Sequence, residues 1–179
     1  MTAKGRRLAI KGYFCRQMKT IKTFIFAILL FSASPVKATS WFNIINTSEV
    51  YKALASGSLE SINGQIEKLQ SSTSDLAEAY EGALLMKKSG LMKAPAKEKI
   101  AVFKSGKQKL ESVIARDPNN VEYHFLRLII QENAPKIVKY NKDVKEDAAL
   151  IKSEFKNLPA NLQQVITDYS KKSKGLKLT

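Results

Sequence analysis

The chain of 179 residues contains a single cysteine and a single histidine. Cys15 has no second cysteine to pair with, so the sequence offers no disulfide and no cysteine-based metal site. His124 has no companion histidine or cysteine, whereas a structural zinc site needs a full set of such ligands. Without a nucleophile at a recognisable spacing, we expect His124 to be packed or surface-exposed. The sequence therefore predicts no metal site, no cofactor and no identifiable catalytic residue.

Acidic residues are absent from the first 38 positions, which hold eight of the 30 lysines and arginines. Lys19 and Lys22 precede the apolar run Thr23–Phe31, and small residues then lead to Ala38. This basic, apolar, small-residue order is typical of a secretory signal peptide. We expect residues 1–38 to be an N-terminal extension and signal peptide cleaved after Ala38, with Met18 as an alternative start. The predicted location is periplasmic or secreted.

A retained membrane anchor is the alternative for this segment. The 14 uncharged residues of 23–36 would span roughly 21 Å as a helix, against a hydrocarbon core of about 30 Å. An anchor is therefore the less favoured reading, and membrane contact is expected only through an uncleaved signal segment or a weak basic surface. Lysines that could form that surface are Lys104, Lys107, Lys109, Lys171, Lys172, Lys174 and Lys177.

The charge balance changes once the first 38 residues are set aside. The chain carries a net charge of +14, but residues 39–179 hold 22 basic and 16 acidic residues, a net of +6. A mildly basic, exported domain is a poor candidate for a nucleic-acid binder. The predicted partner is a protein or peptide of the cell envelope.

Residues 39–179 show helical periodicity nearly throughout, with apolar residues three and four positions apart. This pattern predicts a single all-α domain of about six or seven antiparallel helices. Asp117, Pro118, Asn119 and Asn120 form a strong predicted turn, and the mostly apolar helix after it is expected to be the most buried. The predicted helices cover about 49–55, 59–69, 74–91, 96–116, 121–132, 141–158 and 162–169.

Two stretches resemble tetratricopeptide (TPR) repeats. Residues 110–120 are similar to the end of one repeat and the turn into the next, and residues 79–84 are similar to the small and aromatic packing within a repeat. Gly106 falls where the repeat has a small residue, whereas Val113, Ala94 and Lys97 depart from the pattern. The chain also resembles small exported bacterial helical proteins without assigned activity. The TPR resemblance implies stacked helix pairs and a concave surface that holds a peptide or partner.

Arg127 lies in the most apolar predicted helix, where an unpaired charge would be costly. We expect it to meet a carboxylate, with Glu81 as the first candidate and Glu132 as the second. Such a pair could fix the register of two helices or form a polar ligand pocket. If a recognition surface exists, the residues expected around it are Tyr80, Glu81, Arg127, Gln131 and Asn133.

The sequence thus predicts an exported α-helical binding or scaffolding module. The alternative is a helical cell-envelope hydrolase or lyase that uses a catalytic glutamate, with Glu78 or Glu81 as candidates. Glycosidic chemistry needs a protonated carboxylic acid in a sugar-binding cleft, and no motif marks such a cleft. Pairing with surface cations explains these glutamates equally well.

Overall fold

The computed structural model describes residues 45–178, so the predicted signal peptide and its cleavage site lie outside the described residues. Within that range the regular elements are seven α-helices and two short 3-10 turns, without a strand, which confirms the all-α class. None of these helices is both long and apolar enough to cross a membrane. The elements are α1 (Thr47–Ala55), α2 (Leu59–Gln70), α3 (Asp75–Leu91), α4 (Ala96–Arg116), α5 (Val121–Asn133), a 3-10 turn (Lys136–Val138), α6 (Val144–Glu154), a 3-10 turn (Phe155–Asn157) and α7 (Ala160–Ser170).

Polar side chains cap the N-termini of several helices. Ser58 Oγ accepts the backbone N–H of Ser61 at 3.1 Å and caps the first turn of α2. Ser74 caps α3 in the same way, and Asn120 caps α5 from the predicted turn. Each cap satisfies a backbone donor that the first helical turn leaves without an intrahelical partner.

The sixth helix is shorter than the predicted range 141–158. The side chain of Asp143 turns inward and accepts the amide of Gln131 at 2.9 Å, and α6 begins only at the next residue. At the other end, Leu158 is extended, with ψ of 155°. It precedes Pro159, and the residue before a proline disfavours helical geometry. Pro159 therefore accounts for the extended residue at the end, while Asp143 at the beginning bonds to α5 instead of capping α6.

The helices α3 and α4 meet at two glycines. A Cβ atom on Gly82 would lie 2.7 Å from the carbonyl oxygen of Gly106. A Cβ atom on Gly106 would lie 2.5 Å from the carbonyl oxygen of Gly82 and 2.9 Å from the amide nitrogen of Met86. Backbone atoms cannot move aside as a side-chain tip can, so this contact requires glycine on both helices.

The fifth helix occupies the centre of the core, as its apolar composition predicts. Nine of its 13 residues are buried, including Phe125, Leu126 and Leu128. Around it, tyrosine hydroxyl groups donate to glutamates of α4 and α5 and tie distant parts of the chain together. The pairs are Tyr51 and Tyr80 with Glu122, Tyr140 with Glu111, and Tyr169 with Glu132.

Candidate functional site

An open groove of about 560 Å³ is lined by α1, α5 and α7, with one residue of α3 and the C-terminal segment 171–178 at its edge. We call it the α1–α5–α7 groove. Ile129 of α5 lies four residues after Phe125, and Tyr169 of α7 lies four residues after Val165. Residues four apart share one helix face, so each helix turns an apolar pair towards the groove, in which Phe125 is fully buried and Ile129, Val165 and Tyr169 are partly exposed. Leu54 of α1 adds a buried aliphatic side chain to this lining.

Four lysines surround the apolar lining of the groove. Lys52 forms an ion pair with Glu49 at 2.9 Å, and the Nζ atom of Lys172 lies 5.5 Å from the centre of the Tyr169 ring. Lys87 and Lys174 form no ion pair with any residue from 45 to 178. The edge of the groove therefore carries positive charge that the described protein does not neutralise.

Glu132 fixes the C-terminal segment against the groove. Its carboxylate accepts the hydroxyl of Tyr169 at 2.7 Å and the hydroxyl of Ser173 at 2.8 Å. It also accepts the backbone amides of Lys174 and Gly175. Burial, together with the hydrogen bond to Glu132, raises the pKa of Tyr169 above its ordinary value, so this hydroxyl remains a donor at neutral pH. The edge formed by the C-terminal segment is consequently held in place.

Arg127 is buried, and its partners differ from the predicted ones. Its Nε and a terminal nitrogen donate to the two carboxylate oxygens of Asp147 at 2.9 and 2.6 Å. Its other terminal nitrogen donates to Glu111 at 3.1 Å. The expectation of Glu81 or Glu132 was wrong because Glu81 pairs with a lysine of α4 and Glu132 binds the C-terminal segment.

Burial by itself would lower the pKa of Arg127, but the hydrogen bonds and charge of Asp147 outweigh it and raise that pKa above its ordinary value. The guanidinium is therefore a permanent cation in the core, and Asp147, which is fully buried, is its main counter-ion. Since the pair joins α5 to α6, its role is to fix how these helices pack.

His124 belongs to the same network. Its Nδ1 lies 2.7 Å from a carboxylate oxygen of Asp147, and its Nε2 lies 2.9 Å from the backbone carbonyl oxygen of Pro118. A terminal nitrogen of Arg127 also lies 3.3 Å from Nδ1, so the ring is in contact with both members of the buried ion pair. The side chain links α5 to the turn before it and to α6, and it is buried, as the packed alternative predicts.

Of the five residues predicted around a recognition surface, only Arg127 and Gln131 meet the same part of the fold. Tyr80 is buried and donates to a glutamate of α5, while Glu81 pairs with a lysine of α4. Arg127 and Gln131 both bond to aspartates at the beginning of α6. Asn133 alone among the five lines the α1–α5–α7 groove. A binding role for these residues stays a prediction.

Sequence reasoning missed the apolar half of the groove. Ile129, Val165 and Tyr169 have the spacing of core residues, and each is only partly buried. The sequence signal beside the groove is the lysine-rich stretch directly after α7, which predicts a weak basic surface and not an apolar one. A periodic pattern shows which residues share a face but does not show whether another helix covers it.

A second groove of about 570 Å³ is lined by the turn before α5 and by the segment that joins α6 to α7. Its lining is rich in asparagine and includes Glu122, whose carboxylate already accepts two tyrosine hydroxyl groups. The two glutamates considered for catalysis lie elsewhere. Glu78 pairs with Arg116 at 2.5 Å, and Glu81 pairs with Lys109 at 3.1 Å, as surface charge pairing predicts.

No protein-family model, no curated protein and no solved structure matches this chain.

Proposed function

We propose that this protein is an exported α-helical binding or scaffolding module, and that a protein or peptide segment of the cell envelope docks in the α1–α5–α7 groove. The observation that carries the proposal is the groove itself, because it combines a partly exposed apolar lining with a polar, charged edge. Binding sites commonly have this composition, in which apolar area supplies affinity and a few polar groups fix orientation.

The groove is suited to binding because its walls are fixed before a partner arrives. Phe125 is fully buried and packs edge-on against the Tyr169 ring, with the ring centres 5.6 Å apart. The carboxylate of Glu132 fixes the C-terminal segment on the same side. A site that needs little rearrangement loses less conformational entropy when its partner binds. Apolar side chains of a partner that cover this lining contribute roughly 25 cal/mol per Å² of buried area.

The TPR-like resemblance and the signal-peptide pattern support the remaining parts of the proposal. Stacked helices that present a surface to a partner are the usual scaffold of helical-repeat proteins. The basic, apolar, small-residue order of residues 1–38 supports export. The enzyme alternative gains no specific support, since Glu78 and Glu81 each pair with a cation and line neither groove.

Photo-crosslinking from defined positions in intact cells tests the proposal. A benzoylphenylalanine in place of Ser48, which is exposed at the groove, should crosslink to a discrete partner. The same group in place of Glu60, exposed on α2 and outside the groove, should not give that product. Equal products from both positions, or none from the groove position, would contradict the proposed docking site.

A matched pair of substitutions shows whether the crosslink depends on the apolar lining. Val165→Asp places a charge in the groove and should remove the product. Val138→Asp makes the same change at a partly buried valine outside the groove and should leave the product unchanged. Melting curves of both variants show whether either change unfolds the domain. A product that survives Val165→Asp in a folded protein would contradict the proposal.

A further inference from the structure

We infer that the segment bound in the α1–α5–α7 groove is an acidic peptide that carries aspartate or glutamate beside apolar side chains. This inference rests on the proposed function and names the chemistry of the partner. Its basis is the mismatch between cations and anions at the groove, where lysines remain unneutralised while the carboxylates are already engaged.

The carboxylates that line the groove are occupied by the protein itself. Glu132 accepts the donors of the C-terminal segment, and Asp168 pairs with Lys171 at 2.7 Å. The Lys171 ammonium and the Gln164 amide hold the pKa of Asp168 below its ordinary value, so this carboxylate is ionised and engaged. Neither carboxylate forms an ion pair with a lysine that lines the groove, and the single charge of Glu132 is outnumbered by those of Lys87, Lys172 and Lys174.

The unneutralised lysines come from separate parts of the chain. Lys87 belongs to α3 and Lys174 to the C-terminal segment, and both line the groove without an ion-pair partner among the described residues. Lys172 lies beside Tyr169 at the same edge. Complementary charge across an interface steers encounter and fixes register, so these lysines favour a partner with carboxylates at matching positions.

The shape of the groove favours a peptide over a free lipid. The side chain of Lys52 on α1 is 70% exposed and that of Asp168 on α7 is 56% exposed, so the groove is open to water at both of these helices. An acyl chain laid there would stay partly hydrated. Polar groups also accompany the apolar lining: the hydroxyl of Ser48 and the amide oxygen of Asn133, whose nitrogen donates to Ile129 and Tyr169, can bond to a peptide backbone. A peptide supplies both the apolar side chains and the backbone groups that this lining accommodates.

The size of the charge effect follows from the exposure of the groove edge. An exposed ion pair contributes about 0.7 kcal/mol, which corresponds to about a threefold change in affinity. Replacing Lys87 and Lys174 together by alanine should therefore weaken binding of an acidic peptide by roughly tenfold. Added salt should weaken binding to the unaltered protein as well, because exposed charges are screened.

Selection from a phage-displayed library of random short peptides, with the full chain as bait, tests the inference. Enriched peptides should carry aspartate or glutamate next to leucine, isoleucine or phenylalanine. A synthetic peptide of the enriched sequence should bind roughly tenfold more weakly to the Lys87→Ala, Lys174→Ala protein. It should bind unchanged to a Lys93→Ala, Lys97→Ala protein, which loses the same charge at exposed positions outside the groove.

The outcomes separate this inference from the proposed function. Enrichment of neutral or basic apolar peptides that still need Val165 would overturn the acidic chemistry and leave the binding module standing. Equal affinity of the peptide for the Lys87→Ala, Lys174→Ala protein and the Lys93→Ala, Lys97→Ala protein would also overturn the acidic chemistry alone. Failure to enrich any peptide, together with binding to phosphatidylglycerol vesicles, would overturn both the inference and the proposed function.

Discussion

The close approach of α3 and α4 predicts that Gly106→Ala destabilises the protein. The added methyl carbon would lie 2.5 Å from the Gly82 carbonyl oxygen and 2.9 Å from the Met86 amide nitrogen, both of which are backbone atoms. Moving two packed helices apart costs about 3 kcal/mol, at the upper end of overpacking effects. Alanine regains about 1 kcal/mol of helix propensity over glycine. The net loss should be about 2 kcal/mol, or roughly 8 °C in melting temperature.

Urea unfolding followed by circular dichroism measures this loss, and Gly64→Ala is the matched control. Gly64 lies within α2, and a Cβ atom there would have no heavy atom within 4 Å outside its own helix neighbourhood. That substitution should therefore raise stability by about 0.5–1 kcal/mol. If Gly106→Ala proved as stable as the original protein, the reasoning about the α3–α4 contact would be refuted. A loss of stability in the Gly64→Ala control would show that the contacts of the two glycines do not explain the effect of Gly106→Ala.

Three further perturbations test the polar contacts. Asp147→Asn leaves the buried Arg127 without its main counter-ion. Urea titrations should show that it lowers the free energy of unfolding by about 3–5 kcal/mol. A loss below about 1 kcal/mol would contradict the role of Asp147 as that counter-ion. Glu132→Ala should release the C-terminal segment, seen as faster amide hydrogen exchange at Gly175, and unchanged protection there would contradict it. The free energy of unfolding should not depend on these tyrosines below about pH 10 and should fall above it. Burial and hydrogen-bonded glutamates raise the pKa of four tyrosines in the folded state. Above about pH 10 the unfolded state therefore releases protons that the folded state still holds. The four are Tyr51, Tyr80, Tyr140 and Tyr169. Ultraviolet absorbance should show their hydroxyl groups ionising only as the protein unfolds, and ionisation in the folded state would contradict the prediction.

Much of the fold could be predicted from the sequence because helical periodicity and helix caps are local signals. The spacing of apolar residues and the serine at position 58 suffice to locate α2, and Asn120 and the turn before it locate α5. The beginning of α6 could not be predicted in this way. Asp143 directly precedes α6, and its side chain bonds to Gln131 of α5 instead of capping α6, which no local pattern shows.

The candidate site was harder to predict for the same reason. The sequence shows that Arg127 needs a carboxylate, but it does not show which carboxylate the packing of α6 brings to it. Asp147 follows Glu146 directly, and two adjacent acidic residues usually face solvent, yet Asp147 is fully buried. The apolar lining of the groove also has ordinary core spacing, and only the placement of α1 and α7 leaves it open.

The most direct test of the central claim is to locate a bound acidic peptide on the protein. Methyl-resolved NMR spectra of the full chain would be recorded during titration with a short synthetic peptide of alternating leucine and glutamate. We expect saturable shifts at the methyl groups of Ile129 and Val165, and no such shifts with the matching leucine–lysine peptide. Shifts confined to Leu150 and Leu162 of the second groove, or no saturable shift at all, would contradict the account.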